Sequence, residues 1–173
     1  MNLARPQELE PHLARIAVAW QEIVGDVDRG AIEIFGRVEA LARELAALQR
    51  DILTKFGLNY AEFTTLGILR TSFPEFEGSP TELRRLVGQS SAGMTRILAK
   101  LEGERLVRRD AHAEDGRRVH VALTARGVTL AERSFVAMMA AQSRLLAALG
   151  KRRRNEIGAA LDGLLGAFAA RAR

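Results

Sequence analysis

Six apolar residues between positions 34 and 52 place the strongest constraint on how this chain can fold. They follow one another at intervals of 4, 3, 4, 3 and 4 positions: Ile34, Val38, Leu41, Leu45, Leu48 and Ile52. This spacing puts all six side chains on one stripe of a single helix. The helix predicted over residues 31–56 is about 37 Å long. A lone domain rarely needs so long a stripe, so we predict that it packs against a partner helix.

The remaining sequence predicts a mostly α fold with one small β-hairpin. Helical spacing appears over residues 8–24, 58–73 and 79–87, again from Met94, and through most of the last third of the chain. Residues 74–78 are predicted to form a turn. Alternating apolar residues around Asp115-Gly116 predict two short strands and a tight hairpin. We divide the chain into N-terminal helices (1–56), a central lobe (57–124) and C-terminal dimerisation helices (125–173).

Composition narrows the class of protein. The chain has 173 residues, a net charge of +5 and no cysteine, which excludes disulfides, thiolate nucleophiles and cysteine-based zinc sites. It contains no apolar run long enough to span a membrane and no secretory signal pattern, so we expect a cytoplasmic protein. The basic charge favours a nucleic-acid partner, because lysine and arginine neutralise phosphates.

The segment Ser90–Gly93 consists of residues too small to pack a core, yet helical spacing begins directly after it. Small and hydroxyl-bearing residues suit the tip of a helix that enters the major groove of DNA. Thr95 and Arg96 project from the same tip, while the apolar residues behind it supply a buried face. With helix 79–87, this segment predicts a helix-turn-helix. The alternative, a simple helix cap and turn, remains open for the four residues taken alone.

The predicted hairpin adds a second basic feature. Arg117 and Arg118 lie at or just after its tip, where arginine suits a narrow minor groove. Asp115 is placed to hold Arg117 through an ion pair. A helix-turn-helix followed by such a hairpin is a winged helix. The residues expected to contact DNA are Thr81, Ser90, Ser91, Gly93, Thr95, Arg96, Lys100, Arg117 and Arg118.

Residues 81–127 resemble the MarR-type winged-helix regulators. The recognition pattern of that family falls on Leu83, Gly88, Ser90, Thr95, Arg96, Leu98 and Leu101-Glu102, and its wing signature falls on Asp115, Arg117, Leu123, Thr124 and Gly127. With the flanking helices, the resemblance covers about residues 30 to 170. It implies a homodimer that binds double-stranded DNA at a palindromic operator, represses neighbouring genes and releases DNA when a small molecule binds. It also implies a bacterial or archaeal protein associated with the nucleoid.

A subset of that family, the urate-responsive regulators, has an extra N-terminal helix with a tryptophan, which Trp20 matches. The resemblance places Trp20, Thr64 and Arg109 in a ligand pocket and Arg96 in the response to the ligand. Thr64 stands where the subset has an aspartate, and Ala42 where it has a histidine. We therefore expect a different aromatic or carboxylate ligand. Trp20 as a packing residue and Arg109 as a surface charge remain alternatives.

Two other classes of function compete with a DNA-binding regulator. A winged helix can serve as a protein-interaction module without ligand response, although the polar tip of the second helix argues against an apolar protein contact. An enzyme would need a nucleophile and base, a metal cluster or a phosphate loop, and we find none in the sequence. The three histidines are scattered, so we expect no metal, no cofactor and no catalytic residues.

Overall fold

The structure is a computed structural model that describes residues 6–73, 75, 77–111 and 119–171. Its helices are α1 (Pro6–Val24), α2 (Arg29–Leu53), α3 (Tyr60–Ser72), α4 (Pro80–Val87), α5 (Ser91–Gly103), α6 (Ala125–Ala147) and α7 (Lys151–Arg171). Its strands are β1 (Glu77–Gly78), β2 (Val107–Ala111) and β3 (Val119–Leu123). The chain divides into two compact units, residues 1–54 and 55–173.

The first unit consists of α1 packed against α2. Leu13 and Ala17 of α1 are buried. Gly36 of α2 leaves room for Leu13, because a β-carbon at position 36 would collide with the Leu13 side chain. Asp28 caps α2 by accepting a hydrogen bond from the Ala31 amide at 3.0 Å. The long helix is therefore present as expected, although it ends at Leu53, where a 3₁₀ turn over Thr54–Phe56 follows.

The apolar stripe of α2 is largely uncovered within a single chain. Three of its members have exposed side chains, with fractional exposures of 51% for Ile34, 57% for Leu41 and 41% for Leu45. Only Ile52, at its end, is buried. Exposed apolar residues in a continuous row mark an interaction surface. A partner helix that covers the α2 stripe therefore remains a prediction.

In the second unit, α3 and α4 begin at strong capping signals. Asn59 and Glu62 form a reciprocal capping box at α3, and Ser79 and Glu82 form another at α4. The Ser79 hydroxyl donates to the Glu82 carboxylate at 2.7 Å, and this hydrogen bond lowers the pKa of Glu82. Gly88 ends α4 with φ of 72°, in the left-handed region that favours glycine. The short turn that follows leads directly into α5.

A three-stranded antiparallel sheet with strand order β1-β3-β2 packs beside these helices. In the hairpin, Val107 pairs with Leu123 and Ala111 with Val119, and on the other edge Glu77 pairs with Ala122. The mostly α fold with a small hairpin is confirmed. The turn predicted over residues 74–78 is wrong in part, because Glu77–Gly78 forms β1. So short a strand is defined by its pairing with β3 rather than by its own residues.

The second unit has one apolar core beneath α3, α4, α5 and the sheet. Several of its side chains are fully buried: Leu66, Leu69, Leu83, Leu98, Leu101, Leu106, Val121 and Met138. Close packing continues where α6 begins, because a β-carbon on Gly127 would overlap the Leu106 carbonyl oxygen. The Thr124 amide donates to that same carbonyl at 3.0 Å. Gly127 therefore lets α6 approach the end of α5 and the start of β2.

The C-terminal helices carry apolar residues that the single chain leaves uncovered. No described residue of α7 is buried, and Leu165 and Phe168 are more than half exposed. The turn before α7 is nonetheless well defined. The Arg154 guanidinium donates to the Leu146 and Leu149 carbonyls at 2.6 and 2.8 Å, which caps the end of α6. This cap gives the basic run at residues 151–154 a structural role.

A polar contact joins α5 to the start of α3. The Lys100 amine lies 2.8 Å from Glu62 Oε2 and donates to the Gly57 carbonyl at 3.1 Å. Glu62 is buried, with 3% of its surface exposed. The hydrogen bond from Lys100 to the Glu62 carboxylate raises the pKa of Lys100. A charged pair of this kind stabilises the fold only while both groups are ionised.

Replacing Gly127 with alanine should destabilise the protein, because the added methyl group has no space beside Leu106. Overpacking of this kind typically costs about 1–3 kcal/mol of unfolding free energy. Gly103→Ala is the matched control, since nothing lies within 4 Å of its added β-carbon. Urea denaturation followed by circular dichroism measures both. Equal stability of Gly127→Ala and wild type would contradict the packing described for α6.

Lys100→Met should lower stability in a pH-dependent way. The pKa of Lys100 is raised on folding, so its stabilising contribution is complete below the ordinary value of about 10.5 and is lost as the pH rises through the folded-state pKa. The difference in unfolding free energy between wild type and variant should be constant near neutral pH and shrink in strong alkali. Denaturant titrations at several pH values test this. A difference that persists at every pH would contradict the ionic contribution.

Candidate nucleic-acid interface

The tip of α5 combines a helix cap with exposed small residues. Ser90 is the N-cap, and its hydroxyl accepts a hydrogen bond from the Gly93 amide at 3.1 Å. A β-carbon on Gly93 would lie 3.0 Å from Gln89 Oε1 and 3.2 Å from Ser90 Oγ, so the glycine gives the cap its room. Ser91 is exposed in the first turn. The amides of that turn and the helix dipole favour a phosphate here.

One turn further, α5 presents polar side chains outward over an apolar underside. Met94, Ile97, Leu98 and Leu101 are buried, so this face of the helix lies against the core, whereas Thr95 and Arg96 are exposed. The Thr95 hydroxyl donates to the Ser91 carbonyl at 2.9 Å and keeps its acceptor lone pairs. Arg96 makes no ion pair with any described residue. Its guanidinium is therefore available to a ligand.

A shallow groove of about 170 Å³ separates α4 from α5 and continues to β2. It brings together three of the predicted DNA contacts, Thr81, Ser91 and Thr95. Arg84 also lines the groove. The sequence analysis did not predict this residue, although it lies one turn after Thr81 on the same face of α4, and this spacing could have indicated it. The Arg84 guanidinium and the three hydroxyls make the groove suited to an anionic partner.

Arg109 of β2 completes this groove. Its Nε atom lies 3.1 Å from Glu102 Oε2, so the side chain is held across the back of α5. Thr64, the other polar residue expected in a ligand pocket with it, is not among the residues that line the groove. The Thr64 hydroxyl donates to the Tyr60 carbonyl within α3. Trp20 lies in the first unit, where its side chain is half exposed.

Lys100 differs from the other predicted DNA contacts. It lies one turn after Arg96 on α5. Its amine is instead held by Glu62 and the Gly57 carbonyl, with Glu104 at 3.8 Å. A lysine already surrounded by oxygen acceptors has little capacity for a phosphate. We therefore leave Lys100 out of the DNA contacts proposed below.

The wing is described only at its base. β2 and β3 form a regular antiparallel ladder from Val107–Leu123 to Ala111–Val119. Asp115, Arg117 and Arg118, with the ion pair predicted between the first two, lie outside the described residues. Their contacts with DNA therefore stay a prediction from the sequence.

A second, apolar groove of about 290 Å³ lies between α3 and α6. Its walls include two aromatic rings, Phe63 and Phe135, with small residues between them. One ion pair lies at this groove: Arg70 donates to Glu132 Oε1 from Nε at 2.9 Å and from Nη2 at 2.8 Å. Aromatic walls and one guanidinium suit a small aromatic acid. The sequence analysis missed these residues, since they come from helices more than sixty positions apart.

The described part of the chain holds neither a cluster of metal-binding side chains nor a membrane-spanning helix. No group of three or more acidic or histidine side chains is arranged there to hold a metal ion. No described helix is both long enough and apolar enough to cross a membrane.

Comparison with known proteins places these features in a family. Residues 56–118 match the model of the MarR family. The HTH-type transcriptional repressor Rv2887 of Mycobacterium tuberculosis is 36% identical over 112 residues, which cover 65% of this chain and 78% of that protein. The HTH-type transcriptional repressor YetL of Bacillus subtilis is 26% identical over 106 residues, covering 61% of this chain and 63% of YetL.

Solved structures agree with this relationship. The crystal structure of Rv2887 in complex with p-aminosalicylic acid matches with a TM-score of 0.58 and 31% identity, over 73% of this chain and 94% of that one. The YusO protein of B. subtilis has the same fold, with a TM-score of 0.65 at 19% identity over 82% of this chain and 99% of that one. Rv2887 and YetL are transcriptional repressors rather than enzymes. The chain therefore belongs to the MarR family of DNA-binding transcription regulators.

Proposed function

We propose that this protein is a homodimeric repressor that binds a palindromic operator through α5 and releases it when a small anionic or aromatic ligand binds. The observation that carries the proposal is the two-sided character of α5. Its underside is buried, and its outer face offers Ser91, Thr95 and an Arg96 that makes no ion pair with a described residue. In this arrangement the tip of α5 reads base edges in the major groove, while hydroxyls and arginines on both sides contact phosphates.

The exposed apolar rows support a homodimer. The stripe of α2, the outer part of α6 and the whole of α7 leave large apolar side chains uncovered. Two copies that cover these rows would bury apolar surface from each unit, and burial of apolar surface is the main driving force of association. A twofold axis would then present two α5 helices to DNA, so the operator would be a palindrome with half-sites about one helical turn apart. Such a protein acts on the chromosome, in the cytoplasm.

The groove between α3 and α6 supports a ligand-responsive regulator. Its aromatic walls and the Arg70–Glu132 pair fit a small aromatic acid, and Rv2887 was crystallised with p-aminosalicylic acid. A carboxylate there would compete with Glu132 for Arg70. Binding would release DNA if the ligand favours a dimer whose α5 helices no longer match the spacing of the half-sites.

Substitution of Arg96 should impair sequence discrimination more than overall binding. An operator duplex selected from a random pool and a scrambled duplex are compared by fluorescence anisotropy. Arg96→Ala should lose about 1–3 kcal/mol of preference for the operator, whereas Arg117→Ala should weaken binding to both duplexes and reduce the salt dependence. Lys151→Ala, an exposed cation at the start of α7, is the control. Equal losses on both duplexes for Arg96→Ala would refute base readout by α5, and salt-independent binding would favour the protein-interaction alternative.

Charge changes at the α3–α6 groove should move ligand affinity in opposite directions. Glu132→Gln removes the competitor for Arg70 and should tighten binding of p-aminosalicylate, whereas Arg70→Gln should weaken it. Isothermal titration calorimetry measures both, with Arg84→Gln in the other groove as the control. At saturation the ligand should lower operator affinity about tenfold, a typical allosteric coupling. If saturating p-aminosalicylate leaves operator affinity unchanged, this ligand is not the effector, and unchanged affinity in both variants would reject the groove.

A further inference from the structure

The pair formed by Lys100 and Glu62 is the polar link between α5 and the start of α3. The two residues are 38 positions apart in sequence, and their charged atoms are 2.8 Å apart. Glu62 also accepts hydrogen bonds from the Asn59 amide at 2.9 Å and from the Asn59 side chain at 2.8 Å. Lys100 supplies the cationic partner that a carboxylate needs when it is almost fully buried.

The geometry of this link complements the apolar packing of α5. Burial of Met94, Ile97, Leu98 and Leu101 holds the helix against the core, but hydrophobic contact is non-directional and tolerates small rotations and shifts. Charge-assisted hydrogen bonds are directional and short. Lys100 contacts both Glu62 and the Gly57 carbonyl, so its amine is fixed by two oxygens of the α3 end. A rotation of α5 about its own axis would break these contacts.

We infer that Lys100 and Glu62 are positioning residues that set the orientation of α5 for DNA binding, and that Lys100 does not neutralise a DNA phosphate. The inference rests on the proposed role of α5 in the major groove. A misplacement of α5 would move Ser91, Thr95 and Arg96 together, since all three belong to the same rigid helix. The pair therefore controls operator affinity without touching the operator.

Removing the charge of Glu62 separates positioning from simple electrostatics. Loss of an acidic group from a DNA-binding lobe should leave affinity for DNA unchanged or raise it if only long-range charge matters. Loss of the partner of Lys100 should lower affinity if the pair positions α5. Glu62→Gln is the appropriate variant, because glutamine keeps the shape of the side chain and removes the negative charge that pairs with Lys100. The two accounts predict effects of opposite sign.

Removing the charge of Lys100 gives a second, independent readout. A lysine that contacts phosphate contributes to the salt dependence of binding, and its loss lowers the slope of log affinity against log salt by about one. A positioning lysine leaves that slope unchanged while the affinity falls. Both charges act through one contact, so the double variant should bind about as well as the weaker single variant.

The experiment measures binding of the full chain to its selected operator duplex by fluorescence anisotropy over a range of salt concentrations. The variants are Glu62→Gln, Lys100→Met, their combination and Lys100→Arg. Circular dichroism confirms that each is folded at the temperature used, and affinities are corrected for the folded fraction. We expect both single variants to bind about three- to tenfold more weakly with an unchanged salt slope. Lys100→Arg, which can still pair with Glu62, should bind nearly as wild type.

Three results would overturn the inference: equal or tighter binding by Glu62→Gln, a shallower salt slope for Lys100→Met, or losses that multiply in the double variant. If Lys100→Met does not fold, Glu62→Gln and Lys100→Arg still decide the question. Failure of the wild-type chain to bind any duplex in a salt-dependent manner would instead refute the proposed function itself. The two failures are therefore distinguishable.

Discussion

Burial of one face of α5 is the constraint on which the rest of the structure depends. Met94, Ile97, Leu98 and Leu101 occupy the core of the second unit, so the opposite face must point to solvent. That face carries Ser91, Thr95 and Arg96, residues with hydrogen-bonding groups and little apolar surface. The polar tip is therefore a consequence of core packing, and the capping of α5 by Ser90 determines where the exposed face begins.

Directional polar contacts orient helices and strands that apolar packing alone would hold less specifically. Lys100 joins α5 to α3, Arg109 spans from β2 to Glu102, and Arg70 joins α3 to Glu132 of α6. In each of these three contacts, the positive charge pairs with a carboxylate of the same unit. Arg96, by contrast, makes no ion pair with a described residue. Arg96 is therefore the cation of α5 whose charge no described acidic side chain engages.

The sequence predicted the features whose signals are local. The helix positions follow from periodicity, and the hairpin follows from the alternation of apolar residues around Asp115-Gly116. It did not predict β1, which exists only through pairing with β3. It also included Lys100 among the DNA contacts, and could not show that Glu62, 38 positions away, lies beside it. The groove between α3 and α6, likewise, is made by residues distant in sequence, such as Arg70 and Glu132.

The central claim is that two copies of α5 read a palindromic DNA site. Selection of bound duplexes from a random-sequence pool by the full-length protein tests it most directly. The account predicts that selection converges on an inverted repeat whose half-sites are centred about 10 base pairs apart, one helical turn of DNA. A pool that stays random after repeated rounds, or one that converges on a single unrepeated site, would contradict it.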